Sequence, residues 1–511
     1  MSLSMSLSMS QASTRVDTHT NTHALASDHQ KNAGIVIIGA GMAGSRFAIE
    51  LARTHSNDDT ARLPITLISK EPQVGYNRIM LSPVLAGDTA FEDTYLYDNS
   101  EYEQLGITVL AGVAVETIDT KCQCIELDDG QTLNYVKLVM ATGSTARVIP
   151  FPNHTAKGVH VFRDLADVTA LMDYASQGKT GLVIGGGVLG LEAACALAAQ
   201  GASMTVIHMD VYVLNRQLDL PAAELLQAEL SRRGVGLAVS AHTEAIEMNG
   251  AGEVCGLSLK DGRTLAADFI VMAVGVIPNT ALAKQSGIEV NRGIVVDDFM
   301  HTSCPNVYAI GECIEREGEL FGMVAPVNQQ VDTLVTVLKD GLILGNSTSS
   351  NLASKDLIEN DTNVIDGQIT VPDHWVPFVS KPLSLKLKVS GMSAFSAGQI
   401  AFDDEAADTV ETLVYRQPEL NHYHCLYLKE NKLIGAVLYG DTSDGSFYSQ
   451  LIIDNVDITS IKDTLIFGEA YCHLDEITLN NLPTTEVDIE FNETDKNVDH
   501  HKAAELLEDA L

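Results

Sequence analysis

The chain has 511 residues, 45% apolar and 20% charged, with 68 acidic against 32 basic side chains for a formal charge of -36. That length exceeds what one hydrophobic core ordinarily serves, so two or three domains are expected. The negative field argues against nucleic acid and anionic lipid as partners, and no uninterrupted apolar run of about 18 residues offers a membrane span, so the composition reads as a soluble protein.

Residues 1–33 are polar and lack a basic stretch followed by an apolar one, which predicts a disordered tail rather than a secretion signal. The first apolar run, Gly34 to Gly39, is short and rich in β-branched residues, as a strand buried on both faces should be. A glycine turn follows, then helical periodicity from Met42 to Arg53, then a second short strand at Ile65–Ile68. Within this βαβ unit Gly39, Gly41 and Gly44, with Met42 and Ala43 between them, form a GxGxxG loop that opens a helix. Such a loop lets backbone N–H groups approach a pyrophosphate.

The second strand should lead to an acidic residue that accepts ribose hydroxyls, and Glu71 takes that role. Lys70 beside it leaves a solvated surface glutamate as the alternative reading. In the loop Gly75–Ser82, Arg78 is placed to neutralise phosphate if the loop folds over a cofactor. Turns at Asp128–Gly130 and Lys260–Gly262, flanked by alternating apolar residues, predict a β-meander beside each of two modules.

The second module repeats the first: a strand at 181–185, a helix from Val188, and a strand at Ser203–Ile207. Gly185, Gly187 and Gly190 repeat the fingerprint with Val188 and Leu189 between them, and Glu192 follows inside the helix. Two bound dinucleotides are therefore expected. At the end of this module's second strand stands His208, not Asp or Glu, with Asp210 and Arg216 nearby, so the choice between NADH and NADPH stays open. Further on, Val307–Gly311 reads as a strand feeding a glycine and then the carboxylate of Glu312, able to accept from a sugar hydroxyl or to cap a helix.

Residues 346–382 are read as a linker beginning in a polar stretch, residues 383–483 as a small antiparallel sheet domain, and 484–511 as an acidic tail. Eight cysteines (Cys122, Cys124, Cys195, Cys255, Cys304, Cys313, Cys425 and Cys472) lack the spacing of a secreted scaffold and fit a reducing cytoplasm. The first of them comes after the whole first βαβ unit, which leaves no redox-active thiol pair at the place where a dithiol reductase carries one. Cys122 and Cys124 are expected to be structural, and Cys425 and Cys472 with His422, His424 and His473 are the alternative metal set; no metal is assigned.

With these motifs assembled, residues 34 to 345 resemble the pyridine-nucleotide-dependent flavoprotein reductases of the glutathione-reductase fold. The resemblance rests on both fingerprints, Met140-Ala-Thr142-Gly143, Ala273-Val-Gly275-Val-Ile-Pro278 and Val307-Tyr-Ala-Ile-Gly311-Glu312. The segments Tyr76–Ser82, Arg216–Asp219 and Phe321–Pro326 look most like the flavin half of assimilatory nitrite reductase large subunits and the nitrate reductase electron-transfer subunit, with rubredoxin and ferredoxin reductases next.

The resemblance implies an α/β fold of two Rossmann-like domains in three-layer β/β/α form plus a small α+β C-terminal domain. The FAD-binding domain would span 34–152 and 285–345, and the NAD(P)-binding domain 153–284. It further implies that the first glycines, Glu71, Arg78, Thr142, Gly143, Gly311, Glu312 and Pro326 hold FAD. Gly185, Gly187, Val188, Leu189, Gly190, Glu192, His208, Gly275 and Pro278 would hold NADH or NADPH. Nitrite reductase large subunits also carry cysteine clusters for iron–sulfur and sirohaem groups, and this sequence shows none. An electron-transfer reductase serving a separate redox protein is therefore expected. That acceptor would be a nitrate or nitrite reductase, or alternatively rubredoxin or ferredoxin; a nucleotide-sensing flavoprotein is the reading from another class, and a homodimer is compatible with either.

Overall fold

A computed structural model describes residues 33–54, 63–339, 363–365, 368–370, 372, 374–380, 384–389, 391–402 and 409–472. Gly34–Ile38 is buried along its whole length and lies between two parallel neighbours, Ile65–Ser69 and the second half of Thr132–Met140. An apolar run of five can only be satisfied this way, because both of its faces are covered. The sheet runs Ile107–Ala111, Ile65–Ser69, Gly34–Ile38, Thr132–Met140, Cys124–Leu127 and Val115–Asp119, and Val307–Ala309 adds to Thr132–Met140. Thr132–Met140 does double duty: Cys124 pairs antiparallel with Asn134 in the meander, while Leu138 pairs parallel with both Val36 and Val307.

The second module is a five-stranded parallel sheet in the order Gly236–Ala238, Ser203–Ile207, Thr180–Ile184, Phe269–Met272 and Val159–Val161. Its meander is Thr243–Met248, Val254–Leu259 and Thr264–Ala266, turning at Lys260–Gly262 as the sequence requires. Ser144–Ala146 leaves the first module and pairs antiparallel with Val276–Pro278 leaving the second, so the two modules are tied together at their crossing.

Strands Ser384–Val389, Met392–Gly398, Lys432–Tyr439, His422–Lys429 and Glu411–Gln417 form the C-terminal antiparallel sheet. One face, with Phe395, Leu426 and Leu438, packs on the helix Gly445–Ile453 through Tyr448 and Leu451. The other, with Met392, Ala394, Tyr423, Cys425 and Tyr427, packs on the second module around Ala194, Leu197 and Leu226. This explains why helix Val188–Ala199 is apolar almost all round: its outer side is covered by a second domain.

The expected linker differs from its sequence reading. Asn363–Ile365 and Gln368–Thr370 form a hairpin, and Trp375 and Phe378 are buried in the core of the first module, Phe378 edge-on to Phe321. Two large aromatics in a short segment gain more from burial than the chain loses by ordering there. The expected N-terminal tail, Ala33 excepted, and the acidic C-terminal tail lie outside the described residues. Among those described, no helix is long and apolar enough to cross a membrane.

Candidate functional site

The first fingerprint uses each glycine differently. Gly39 has φ +109°, and a Cβ there would fall 2.1 Å from the Ala141 carbonyl oxygen. A Cβ on Gly44 would fall 1.9 Å from the Gly39 oxygen, so this glycine lets helix Met42–Arg53 lie against the strand. At Gly41 the same construction meets nothing within 4 Å. Open space at that position, beside the first helical turn of Met42 and Ala43, is what a close-approaching ligand needs.

The second fingerprint repeats this. A Cβ at Gly185 (φ +119°) would meet the Ala273 oxygen at 2.3 Å, one at Gly190 the Gly185 oxygen at 2.0 Å, and one at Gly187 nothing within 4 Å. Both helices begin on the open glycine with no side-chain cap and no acidic residue in the first turn. Two other helices of the second module carry carboxylate caps: Asp164 in a capping box and Asp219 on the Ala222 N–H. The first-turn N–H groups at Gly41 and Gly187, with Val188 and Leu189 following the latter, are thus left for an anion.

The charged residues picked out in the sequence lie in one chain of contacts. Glu71 accepts from the Tyr76 hydroxyl at 2.7 Å and pairs with Arg78. Arg78 stacks over the Tyr76 ring at 4.9 Å and donates to the Arg163 carbonyl at 3.0 Å. Arg163 pairs with Glu312, which also accepts from Ser144 Oγ at 2.6 Å. Glu71 and Arg78 therefore stand as an ion pair rather than as two independent ligands, and Glu312 is oriented by two partners that sequence reasoning missed. Arg163 and Ser144 carry no local motif; only the tertiary crossing of the two modules brings them to Glu312.

A second set of contacts spans the modules. Ser82 Oγ donates to Glu192 at 2.7 Å, and burial pushes the Glu192 carboxyl above its ordinary range. Thr142 Oγ1 donates to the Asn279 carbonyl and Asn279 Nδ2 to the Thr142 carbonyl, both at 2.8 Å, closing the crossover that Gly143 and Gly275 turn at φ +62° and +99°. Pro278 pairs with Ser144 across it. Gly311 sits against Ala43, and its N–H donates to Gln330 Oε1 at 2.7 Å. Pro326 is buried in the first turn of the uncapped helix Val324–Leu338.

The second module's His208 is buried and accepts the Gly186 N–H on Nδ1 at 3.2 Å. Its Nε2 lies 3.7 Å from Asp210, while Arg216 is exposed. All eight cysteines are free thiols. A hydrogen bond to Asp119 pushes the Cys122 thiol up, and burial does the same to Cys124 and Cys313. Cys425 and Cys472 face opposite sides of the C-terminal sheet, His424 bonds the Asp441 carbonyl, and His473 lies outside the described residues. Among the described residues no three potential ligands converge.

Two uncapped glycine cradles, one in each of two crossed modules, define a pyridine-nucleotide-dependent oxidoreductase. Residues 33–331 match the family model described as pyridine nucleotide-disulphide oxidoreductase, and residues 384–456 match that of the rubredoxin NAD+ reductase C-terminal domain. The chain belongs to the pyridine nucleotide-disulphide oxidoreductase family. It is 37% identical over 425 residues to the nitrite reductase [NAD(P)H] of Bacillus subtilis, covering 83% of this chain and 48% of that protein. To the assimilatory nitrate reductase electron transfer subunit of the same organism it is 35% identical over 439 residues, covering 86% and 52%. The chain thus spans about half the length of these curated relatives. Among solved structures it is similar to NADH:rubredoxin oxidoreductase from Clostridium acetobutylicum, at 25% identity and TM-score 0.64, covering 86% of this chain and 99% of that one. FAD and NAD(P)H are the cofactors, and the open glycines and uncapped helices fit one dinucleotide each.

Proposed function

We propose that this protein takes electrons from NAD(P)H into FAD and passes them to a separate redox protein of nitrate or nitrite assimilation in the cytoplasm. The observation that carries this reading is the pair of open cradles, one in each module, with the Ser82–Glu192 hydrogen bond tying helix Leu81–Ala86 of the first module to the nucleotide helix of the second. The names of the two Bacillus relatives support the acceptor class.

When bound, the nicotinamide supplies a hydride and the flavin accepts it. The chain's own residues bind and orient. Gly39, Gly41, Gly44 and the first turn of Met42 and Ala43 hold one pyrophosphate, with Glu71 fixed by Arg78 and Tyr76 at the ribose end. Arg163 and Ser144 fix the Glu312 carboxylate, which with Thr142, Gly143, Gly311 and Pro326 would bind the polar chain of FAD. Gly185, Gly187 and Gly190 would hold the second pyrophosphate, with Glu192, Gly275 and Pro278 completing the nicotinamide-nucleotide site. No side-chain acid or base is required, so positioning is the protein's main contribution.

A second reading, transfer to rubredoxin, is favoured by the C-terminal match and by the Clostridium structure. Anaerobic stopped-flow mixing of the FAD-loaded protein with NADH or NADPH tests the reductase reading: bleaching of the flavin band is expected with at least one nucleotide. No bleaching with either would leave a nucleotide-sensing flavoprotein. Reoxidation of the reduced protein by purified nitrate reductase, nitrite reductase, rubredoxin and ferredoxin then ranks the acceptors, the first two being expected fastest.

A further inference from the structure

His208 occupies the place at which a carboxylate commonly accepts both ribose hydroxyls, yet its surroundings define what it can do instead. Because Nδ1 accepts the Gly186 N–H, the ring proton sits on Nε2. The ring cannot easily turn over, since it lies against the loop: a Cβ on Gly186 would fall 2.9 Å from His208 Cγ. Nε2 is buried and has no hydrogen-bond partner among the described residues. It looks toward Asp210 Oδ2 at 3.7 Å, beyond direct hydrogen-bonding range. Asp210 is itself held: Asn215 Nδ2 donates to the same oxygen at 3.0 Å, and its backbone oxygen accepts from Ser240 at 2.8 Å.

Resting on the reading of the second module as the nicotinamide-nucleotide site, we propose that His208 and Asp210 together read the 2'-hydroxyl of NADH and make this chain NADH-preferring. A hydroxyl both accepts and donates, so it satisfies an N–H on one side and a carboxylate on the other. A 2'-phosphate only accepts and is anionic, so it fits His208 and is repelled by Asp210. Asp210 thus takes over, two residues further along, the discriminating charge that the strand end lacks. Arg216, exposed and without an ion pair among the described residues, is the competing group, because a free guanidinium would favour the 2'-phosphate.

Calorimetric titration of the FAD-loaded full chain with NAD+ and NADP+ tests this without depending on turnover. NAD+ is expected to bind about tenfold tighter or more, the worth of one hydrogen bond to a charged group. Asp210→Asn, at a half-exposed position and checked by unchanged FAD content, should bring the two affinities close together, and Arg216→Ala should leave the wild-type ratio standing. Tighter binding of NADP+, an unchanged ratio in D210N, or binding of neither nucleotide would overturn the assignment. NAD+ preference with no flavin bleaching by NADH would uphold it while removing the reductase reading; bleaching with equal affinity for both nucleotides would do the reverse.

Discussion

The two dinucleotide modules are near copies in backbone and differ in what they do with their ends. The Gly39 and Gly185 N–H groups donate to the Ile68 and Ile207 carbonyls at 2.8 and 2.9 Å, and the Ala141 and Ala273 N–H groups donate to the Ile38 and Ile184 carbonyls at 2.8 and 2.9 Å. Past the second strand they part. The first module closes its site with an ion pair, Glu71 with Arg78, whereas the second has a buried His208 nitrogen with no partner among the described residues, beside a half-exposed Asp210. A pre-satisfied, rigid end suits a cofactor that stays, and an end with an unmet donor suits one that comes and goes.

The sharpest way to break this comparison is to fill the open glycine of each module in turn. Gly41 and Gly187 have ordinary φ values of -77° and -83°, so a side chain is tolerated by the backbone and intrudes only on the ligand. Gly187→Val should leave FAD bound and slow flavin bleaching by NAD(P)H by about 100-fold or more, the cost of ångström-scale misplacement. Gly41→Val should instead release FAD. Loss of FAD from the Gly187 variant, with bleaching intact in whatever remains loaded, would mean the two modules have been assigned the wrong way round.

A smaller effect separates the modules by their surroundings. The C-terminal sheet is tied to the second module through Asp219, which caps helix Leu220–Arg232 and accepts from the buried Tyr423 and Tyr427 hydroxyls, the latter at 3.1 Å. Asp219→Ala removes a cap worth about 1 kcal/mol. It also orphans phenol groups at about 1–3 kcal/mol of desolvation. Urea unfolding should show the second module and the C-terminal domain destabilised together, while FAD release keeps its wild-type midpoint. A common shift of both signals would mean the modules unfold as one unit.

Much of this was legible in the chain itself, because glycine fingerprints, buried strands and DG turns are local. Gly39, Gly41 and Gly44 perform three separate steric tasks within six residues, and no distant residue is needed to recognise them. The carboxylate end-groups were harder. Glu71 and Arg78 were each picked out, but their pairing depends on how the loop folds back over Tyr76. Arg163 and Ser144 were missed because they meet Glu312 only where the modules cross, over sequence separations of 149 and 168 residues. The linker reading missed Trp375 and Phe378 for the same reason: a polar composition says nothing about two aromatics finding a pocket beside Phe321.

The smallest effect concerns the capped helix beside the uncapped one. In the second module helix Leu165–Ser176 carries its own carboxylates, Asp164 and Asp167, in a capping box, while helix Val188–Ala199 carries none. Burial and the neighbouring Asp164 raise the Asp167 carboxyl from 3.8 to about 6 despite the bonds it accepts from the Arg163 and Asp164 N–H groups. A raised carboxyl favours the protonated fold, so its stabilising effect is complete below about pH 4 and is lost as pH climbs through about 6. Asp167→Asn keeps an acceptor oxygen and removes the charge. The variant's melting temperature relative to wild type should therefore rise by a few degrees between pH 4 and pH 7 and then level off. A difference that stays flat over that range would mean that the charge on this cap is already compensated, and that a carboxylate costs the capped helix nothing that the uncapped one avoids.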